Sequence, residues 1–112
     1  MAGTLEISDD LCWMPAGWVY DNVLERLASK VKDKDASLAS LLLQSRTNEN
    51  GGYCDLRGCG PDRLLMLIQA ADDAYAQVEH NGPGSFHDPS SYPGFLEQFR
   101  RLREMLRGGQ QK

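Results

Sequence analysis

The stretch SYPGFLEQFRRLREMLR at residues 91–107 carries the clearest helical pattern in the chain and decides the fold class. Its large apolar residues recur at intervals of three and four, so they lie on one face of a helix. That face consists of Tyr92, Phe95, Leu96, Phe99, Leu102 and Leu106. Glutamates and arginines fill the opposite face at the i, i+4 spacing of helical ion pairs. We therefore predict an amphipathic helix that presents an aromatic stripe.

Three upstream segments have the same periodicity. We predict helices over about 15–31, 36–46 and 61–79. Either Asp35 or Ser37 can cap the second helix, because both side chains accept a hydrogen bond from a free backbone N–H. The sequence Gly60-Pro61-Asp62 is typical of a helix start, with proline in the first turn and an acid at the positive end of the dipole.

These segments predict a mainly α fold, a four-helix up-down bundle, which is the simplest topology for short-connected helices. Two short stretches, 4–7 and 53–57, are strand candidates. Each is weak alone, and both gain support if they pair with each other. We therefore add a small two-stranded extended cap to the predicted bundle.

Length and composition favour a single domain. The chain has 112 residues, a net charge of -4 and 41% apolar residues, as ordinary globular domains do. We predict one helical domain over 1–107 and a disordered tail over 108–112, because Gly108-Gly109 should stop the last helix. No apolar run reaches 18 residues and the N-terminus lacks a signal-peptide pattern. A cytoplasmic location is expected, with the mature form of an exported protein as the alternative.

Most catalytic and cofactor motifs are missing from the sequence. The glycine clusters have neither Walker spacing nor a dinucleotide fingerprint. In the predicted bundle His80 and His87 lie at the opposite end from Cys54 and Cys59, so we predict no metal, no cofactor and no catalytic residue. Glutamates interrupt the arginines of 91–107, so we predict no nucleic-acid partner. A small enzyme of unknown class is the third functional hypothesis.

The acidic excess is confined to one half of the chain. Residues 1–56 hold nine acids and five bases, whereas the remainder holds seven of each. An up-down bundle would bring the segment before the first helix to the same end as the long connection at 47–60. Tyrosine and arginine there are residue types favoured at binding hot spots. The predicted partner-binding residues are Glu49, Tyr53, Asp55 and Arg57, with Asp9, Asp10 and Trp13 beside them.

This surface favours a non-catalytic protein-binding module with a basic protein partner. One concrete form is a small acidic inhibitor or immunity-type protein that neutralises a basic enzyme. The alternative is a thiol-dependent redox or regulatory protein that uses Cys54 and Cys59, since Cys12, Cys54 and Cys59 share one end of the predicted bundle. A homodimer stays open, because Phe95 and Phe99 can serve either a core or an interface.

Overall fold

The helices form where the apolar periodicity predicts them. The computed structural model describes residues 3–47 and 52–110. Within these ranges it contains the helices α1 (Gly17–Val31), α2 (Ala36–Gln44), α3 (Pro61–Asn81) and α4 (Tyr92–Gln110). It also contains the strands β1 (Thr4–Ser8), β2 (Leu11–Trp13) and β3 (Tyr53–Asp55). Two short 3-10 turns, at Pro83–Ser85 and Pro89–Ser91, lie between α3 and α4. The mainly α class is therefore confirmed.

Local sequence accounts for the helix ends. The Asp35 carboxylate accepts a hydrogen bond from the Leu38 backbone N–H at 3.0 Å and caps α2. Pro61 lies in the first turn of α3, as predicted. Gly82 follows α3 with a φ of +72°, a conformation that glycine adopts without strain. None of the helices in the described part of the chain is long and apolar enough to cross a lipid bilayer.

The stripe of α4 forms the centre of one hydrophobic core. Its inward residues are fully buried and pack with apolar residues of α1, α3 and the sheet. These inward residues are Phe95, Phe99, Leu102 and Leu106. Because Phe95 and Phe99 are core residues, the predicted alternative in which they form a dimer interface loses its basis.

The alternating up-down order of the helices is not confirmed. Trp18 at the start of α1 stacks on Phe95 at the start of α4, with the ring centroids 5.7 Å apart. An alternating bundle places these two starts at opposite ends. The helices α2 and α3 also start at one end, where the Arg63 guanidinium bonds to the Asp35 carboxylate at 2.8 Å. The connection between α2 and α3 therefore runs back along the molecule, which its length permits because α2 spans only about 13 Å.

That returning connection supplies the third strand of a small sheet. The strand order is β2-β1-β3, with β1 antiparallel to β2 and parallel to β3. The predicted strand candidates do pair, since Leu5 lies opposite Cys54. A parallel pair needs a long crossover, and α1 with α2 provides it. The predicted two-stranded cap is thus a three-stranded sheet, because β2 adds to the other edge of β1.

The end of α4 also differs from the prediction. The helix continues through Gly108 and Gly109 to Gln110, so the predicted disordered tail at 108–112 is corrected for these three positions. A Cβ built on Gly109 would lie 2.7 Å from Cγ2 of Ile7 in β1. The absent side chain allows the helix backbone to approach the sheet closely. The glycine pair therefore serves packing and does not stop the helix.

This close approach gives a stability prediction for two glycines of the same helix. We expect Gly109→Ala to lower the free energy of unfolding by about 1–3 kcal/mol, because the methyl group overpacks the contact with Ile7. Gly94→Ala is the matched control, since nothing lies within 4 Å of its built Cβ. It should be neutral or stabilising by up to about 1 kcal/mol. Urea denaturation measures both, and equal effects of the two variants would contradict the packing role.

Candidate functional site

The parallel pairing of β1 with β3 brings polar side chains from distant segments together. Thr4 lies opposite Tyr53, and Glu6 lies opposite Asp55. Alternate residues of a strand point to opposite faces. Leu5 and Cys54 are accordingly buried in the core. Glu6, Tyr53 and Asp55 are left on the outer face of the sheet.

Arg57 lies at the centre of these side chains. Its Nε and Nη2 both donate to the Asp55 carboxylate at 2.9 Å, in a bidentate pair. Nε also lies 3.1 Å from Oε2 of Glu6, and Nη1 lies 3.3 Å from Oδ1 of Asp9. The Tyr53 hydroxyl donates to Oε1 of Glu6 at 3.0 Å. We call these five residues the Arg57 cluster.

Hydrogen bonding shifts the pKa values of three members of the Arg57 cluster. The Arg57 side chain, helped by its backbone N–H, lowers the pKa of Asp55 to about 2. The Asp55 and Asp9 carboxylates raise the pKa of Arg57. The hydrogen bond to Glu6 raises the pKa of Tyr53, so its phenol is neutral. Three carboxylates and one guanidinium leave two net negative charges on an exposed face.

Solvent exposure indicates that the Arg57 cluster does little for stability. Asp9 and Arg57 are exposed, and Tyr53 is 43% exposed. Exposed ion pairs contribute little to folding, because water screens them and ordering the side chains costs entropy. The cluster is instead an ordered polar surface in which each long side chain is held by another.

The structure joins four of the predicted binding residues. Asp9, Tyr53, Asp55 and Arg57 are in contact within the cluster. Asp10 is exposed beside Asp9 in the turn between β1 and β2. The prediction for Glu49 falls outside the described residues.

Two residues differ from the predicted site: Trp13 lies outside the candidate surface, and Glu6 belongs to it. Trp13 is only 2% exposed, and its Nε1–H donates to the Gln98 backbone oxygen at 2.8 Å. This tryptophan fastens β2 to α4, so it is removed from the candidate surface. Glu6, absent from the predicted site, belongs to the cluster. The alternation of Leu5, Glu6 and Ile7 is the sequence signal for its outward direction.

The Cys54 thiol has the properties of a packed residue. All three cysteines are free. Cys54 is 1% exposed, and burial raises its pKa. Burial also raises the pKa of Cys12, with a further contribution from Glu6. A reactive cysteine needs the opposite, an exposed thiol with a lowered pKa. Cys54 therefore lacks the features that the thiol-dependent hypothesis requires.

Other predicted features can also be placed. Among residues 3–47 and 52–110, no group of three or more histidine, cysteine, aspartate or glutamate side chains is arranged so that it could hold a metal ion. The basic side of α4 is neutralised by carboxylates of α3 and α4. Its ion pairs are Arg100–Glu97, Arg100–Glu104, Arg101–Glu97, Arg103–Asp72 and Arg107–Asp72. The face is a network of pairs, so it does not present a continuous basic patch.

A cavity of about 410 Å³ lies apart from the Arg57 cluster, between α1 and the connection that joins α3 to α4. Its α1 wall consists of Trp18, Asn22 and Arg26. The only sequence signal for this wall is the four-residue spacing of these three residues, which places them on one side of a helix. The opposite wall is formed by residues of 85–91.

Comparison of the chain with family models, curated proteins and solved structures gives no match.

Titration of Asp55 tests the Arg57 cluster. We expect a pKa of about 2 in the native protein. In Arg57→Gln we expect a higher pKa that stays below the ordinary value of about 3.9, because the backbone N–H of residue 57 still donates to the Asp55 carboxylate. Because folding depresses this pKa, its contribution to stability is complete above about pH 4 and disappears as the pH falls towards 2. NMR of the side-chain carboxyl measures the shift. Asp88, whose pKa is lowered by Ser90, is the internal control and should not move. An unchanged Asp55 would contradict the geometry.

Thiol accessibility distinguishes packed from reactive cysteines. In the Cys12→Ser/Cys59→Ser variant, the remaining Cys54 should react with a disulfide reagent only after denaturant is added, because its side chain is buried. The reaction is followed by the absorbance of the released thiolate. Fast reaction of Cys54 in the native state would revive the thiol-dependent hypothesis.

Proposed function

We propose that this protein is a non-catalytic binding module whose Arg57 cluster docks a basic protein partner. The observation that carries the proposal is the ordered, exposed arrangement of three carboxylates and a tyrosine around one arginine. Surfaces of complementary charge accelerate association and select against wrong partners.

Preorganisation supports this role. Binding normally costs entropy, because long side chains must be immobilised at the interface. In the Arg57 cluster the bidentate pair with Asp55 already holds the guanidinium, and Glu6 already holds the Tyr53 hydroxyl. The entropy lost when a partner binds is therefore smaller, because these side chains are already ordered. Tyrosine and arginine are also the residue types that contribute most when truncated at interfaces.

The concrete form of the proposal is a small acidic inhibitor or immunity-type protein that neutralises a basic enzyme. In such a complex, lysine or arginine side chains of the partner would contact Asp9 and Asp55 from solvent. Arg57 would keep the carboxylates in place and offer its apolar stem to the contact. The likeness to this class rests on size, charge and helicity alone.

Affinity capture with charge-matched variants tests the proposal. The cluster variant Glu6→Gln/Asp9→Asn/Asp55→Asn removes three negative charges from the cluster. The control variant Asp33→Asn/Asp73→Asn/Glu79→Gln removes three from exposed residues elsewhere. Proteins from the source cells that bind the wild type are identified, and their affinities for all three forms are measured at 50 and 300 mM salt.

We expect a basic protein whose affinity falls at least about tenfold for the cluster variant and much less for the control. Added salt should weaken the wild-type complex mainly through slower association. The proposal fails if every captured protein binds the cluster variant as tightly as the wild type. It also fails if both variants lose binding equally, because net charge rather than the cluster would then be responsible.

A further inference from the structure

The cavity beside α1 is built from one helix face and one ordered connection. Trp18, Asn22 and Arg26 follow one another at successive turns of α1 and line one wall. The other wall includes Phe86 and Asp88 from the connection. Two 3-10 turns shape this connection, and the Asp88 carboxylate accepts hydrogen bonds from the backbone and hydroxyl of Ser90. The walls are thus defined by internal contacts.

Arg26 differs from the other arginines in its surroundings. Seven arginines have an ion-pair partner: Arg46, Arg57, Arg63, Arg100, Arg101, Arg103 and Arg107. Arg26 has no carboxylate within 4 Å among the residues of 3–47 and 52–110. It is also partly buried, and burial lowers its pKa. The neighbouring Glu25 partly offsets this lowering, but Glu25 is itself paired with Arg46. A partly desolvated cation that no carboxylate contacts favours the binding of an anion.

Within residues 3–47 and 52–110, the Arg26 side chain makes a single hydrogen bond, which leaves two donor nitrogens for that anion. Its Nε donates to Oδ1 of Asn22 at 2.6 Å, which orients the guanidinium. The two terminal nitrogens make no hydrogen bond to the described part of the chain. A guanidinium edge matches the two oxygens of a carboxylate, which it binds through parallel hydrogen bonds. Asn22 therefore acts as the residue that positions this donor pair.

Trp18 supplies an apolar platform beside this cation. The residue is 49% exposed, and its indole stacks on the buried Phe95 ring with the ring centroids 5.7 Å apart. Phe86 meets the same Phe95 ring edge-on at 5.0 Å. Both cavity-lining rings are thus fixed by one core residue. An exposed, immobilised indole offers a flat surface on which a ligand ring can stack.

We propose that this cavity binds a small aromatic monocarboxylate, with the carboxylate on Arg26 and the ring against Trp18. The volume of about 410 Å³ falls within the usual range for small-molecule sites. Asp88 also lines the cavity, so its negative charge disfavours a second anionic group such as that of a phosphate dianion. The polar residues His87, Ser85 and Ser91 also line the wall.

This site is separate from the Arg57 cluster. Phe95, beneath the cavity, lies near the start of α4, whereas Gly109 and β1 meet near its end. A helix of 19 residues is about 28 Å long. Ligand binding and partner docking can therefore fail independently in experiments.

The test uses four probes: 2-naphthoate, its neutral amide 2-naphthamide, acetate, and the dianion phenyl phosphate. NMR follows the Trp18 Nε1–H and Arg26 Nε–H signals, and the buried Trp13 signal serves as a reference. Calorimetry gives the affinities for wild type, Arg26→Gln, Arg26→Lys and Trp18→Leu. Arg101→Gln is the matched control, because this arginine is exposed and lies outside the cavity.

We expect 2-naphthoate to shift the Trp18 and Arg26 signals saturably and to bind at least about tenfold more tightly than 2-naphthamide or acetate. Arg26→Gln should lose about tenfold or more, Arg26→Lys less, and Arg101→Gln nothing. Trp18→Leu should also weaken binding. The comparison of the four probes uses only the wild-type protein, so it tests the proposal even if a variant does not fold. Absence of saturable shifts, equal binding by Arg26→Gln, or tighter binding of phenyl phosphate would overturn the proposal.

Discussion

Burial of the Phe95 ring is the interaction on which most of the structure depends. The ring is fully buried and contacts Trp18 of α1, Phe86 of the connection and Phe99 of α4. Burial of a phenylalanine contributes about 1.5–3 kcal/mol, and favourable aromatic pairs add to it. One side chain thus joins three segments that are distant in sequence. It fixes the direction of α4 relative to α1 and supports both aromatic walls of the cavity.

The sequence was sufficient to locate the helices and the cap of α2, but not to predict the directions in which the helices run relative to one another. Apolar periodicity is a local signal, so it located α1 to α4 within a few residues, and the side-chain chemistry of Asp35 located the start of α2. The relative directions of the helices depend on what the long connection does. A connection that carries β3 back along the molecule looks, in sequence, like an ordinary polar loop rich in glycine. The connection forms a strand only because β1 provides the edge with which β3 pairs.

The candidate surface was also only partly predictable, because some of its residues are neighbours in sequence and others are not. Tyr53, Asp55 and Arg57 are close in sequence, so their proximity was expected. Glu6 joins them through strand register alone, and a shift of one residue would turn it into the core. Trp13 was misplaced because its indole serves either a core or a surface, and the backbone oxygen of Gln98 that accepts its hydrogen bond is 85 residues away. The sequence gives no sign that Arg26, within the described part of the chain, lacks the carboxylate contact that the other arginines have.

The parallel pairing of β1 with β3 has a consequence for the order of folding. Thr4 and Tyr53 are direct partners, yet α1 and α2 lie between them in the chain. Contacts between such distant positions must overcome a large loop-closure entropy, so we expect them to form late. We therefore expect the carboxylates of β1 and β3 to meet only after the intervening helices have packed. A nascent or partly unfolded chain would carry the same charges without the Arg57 cluster, so recognition through that surface would report that folding is complete.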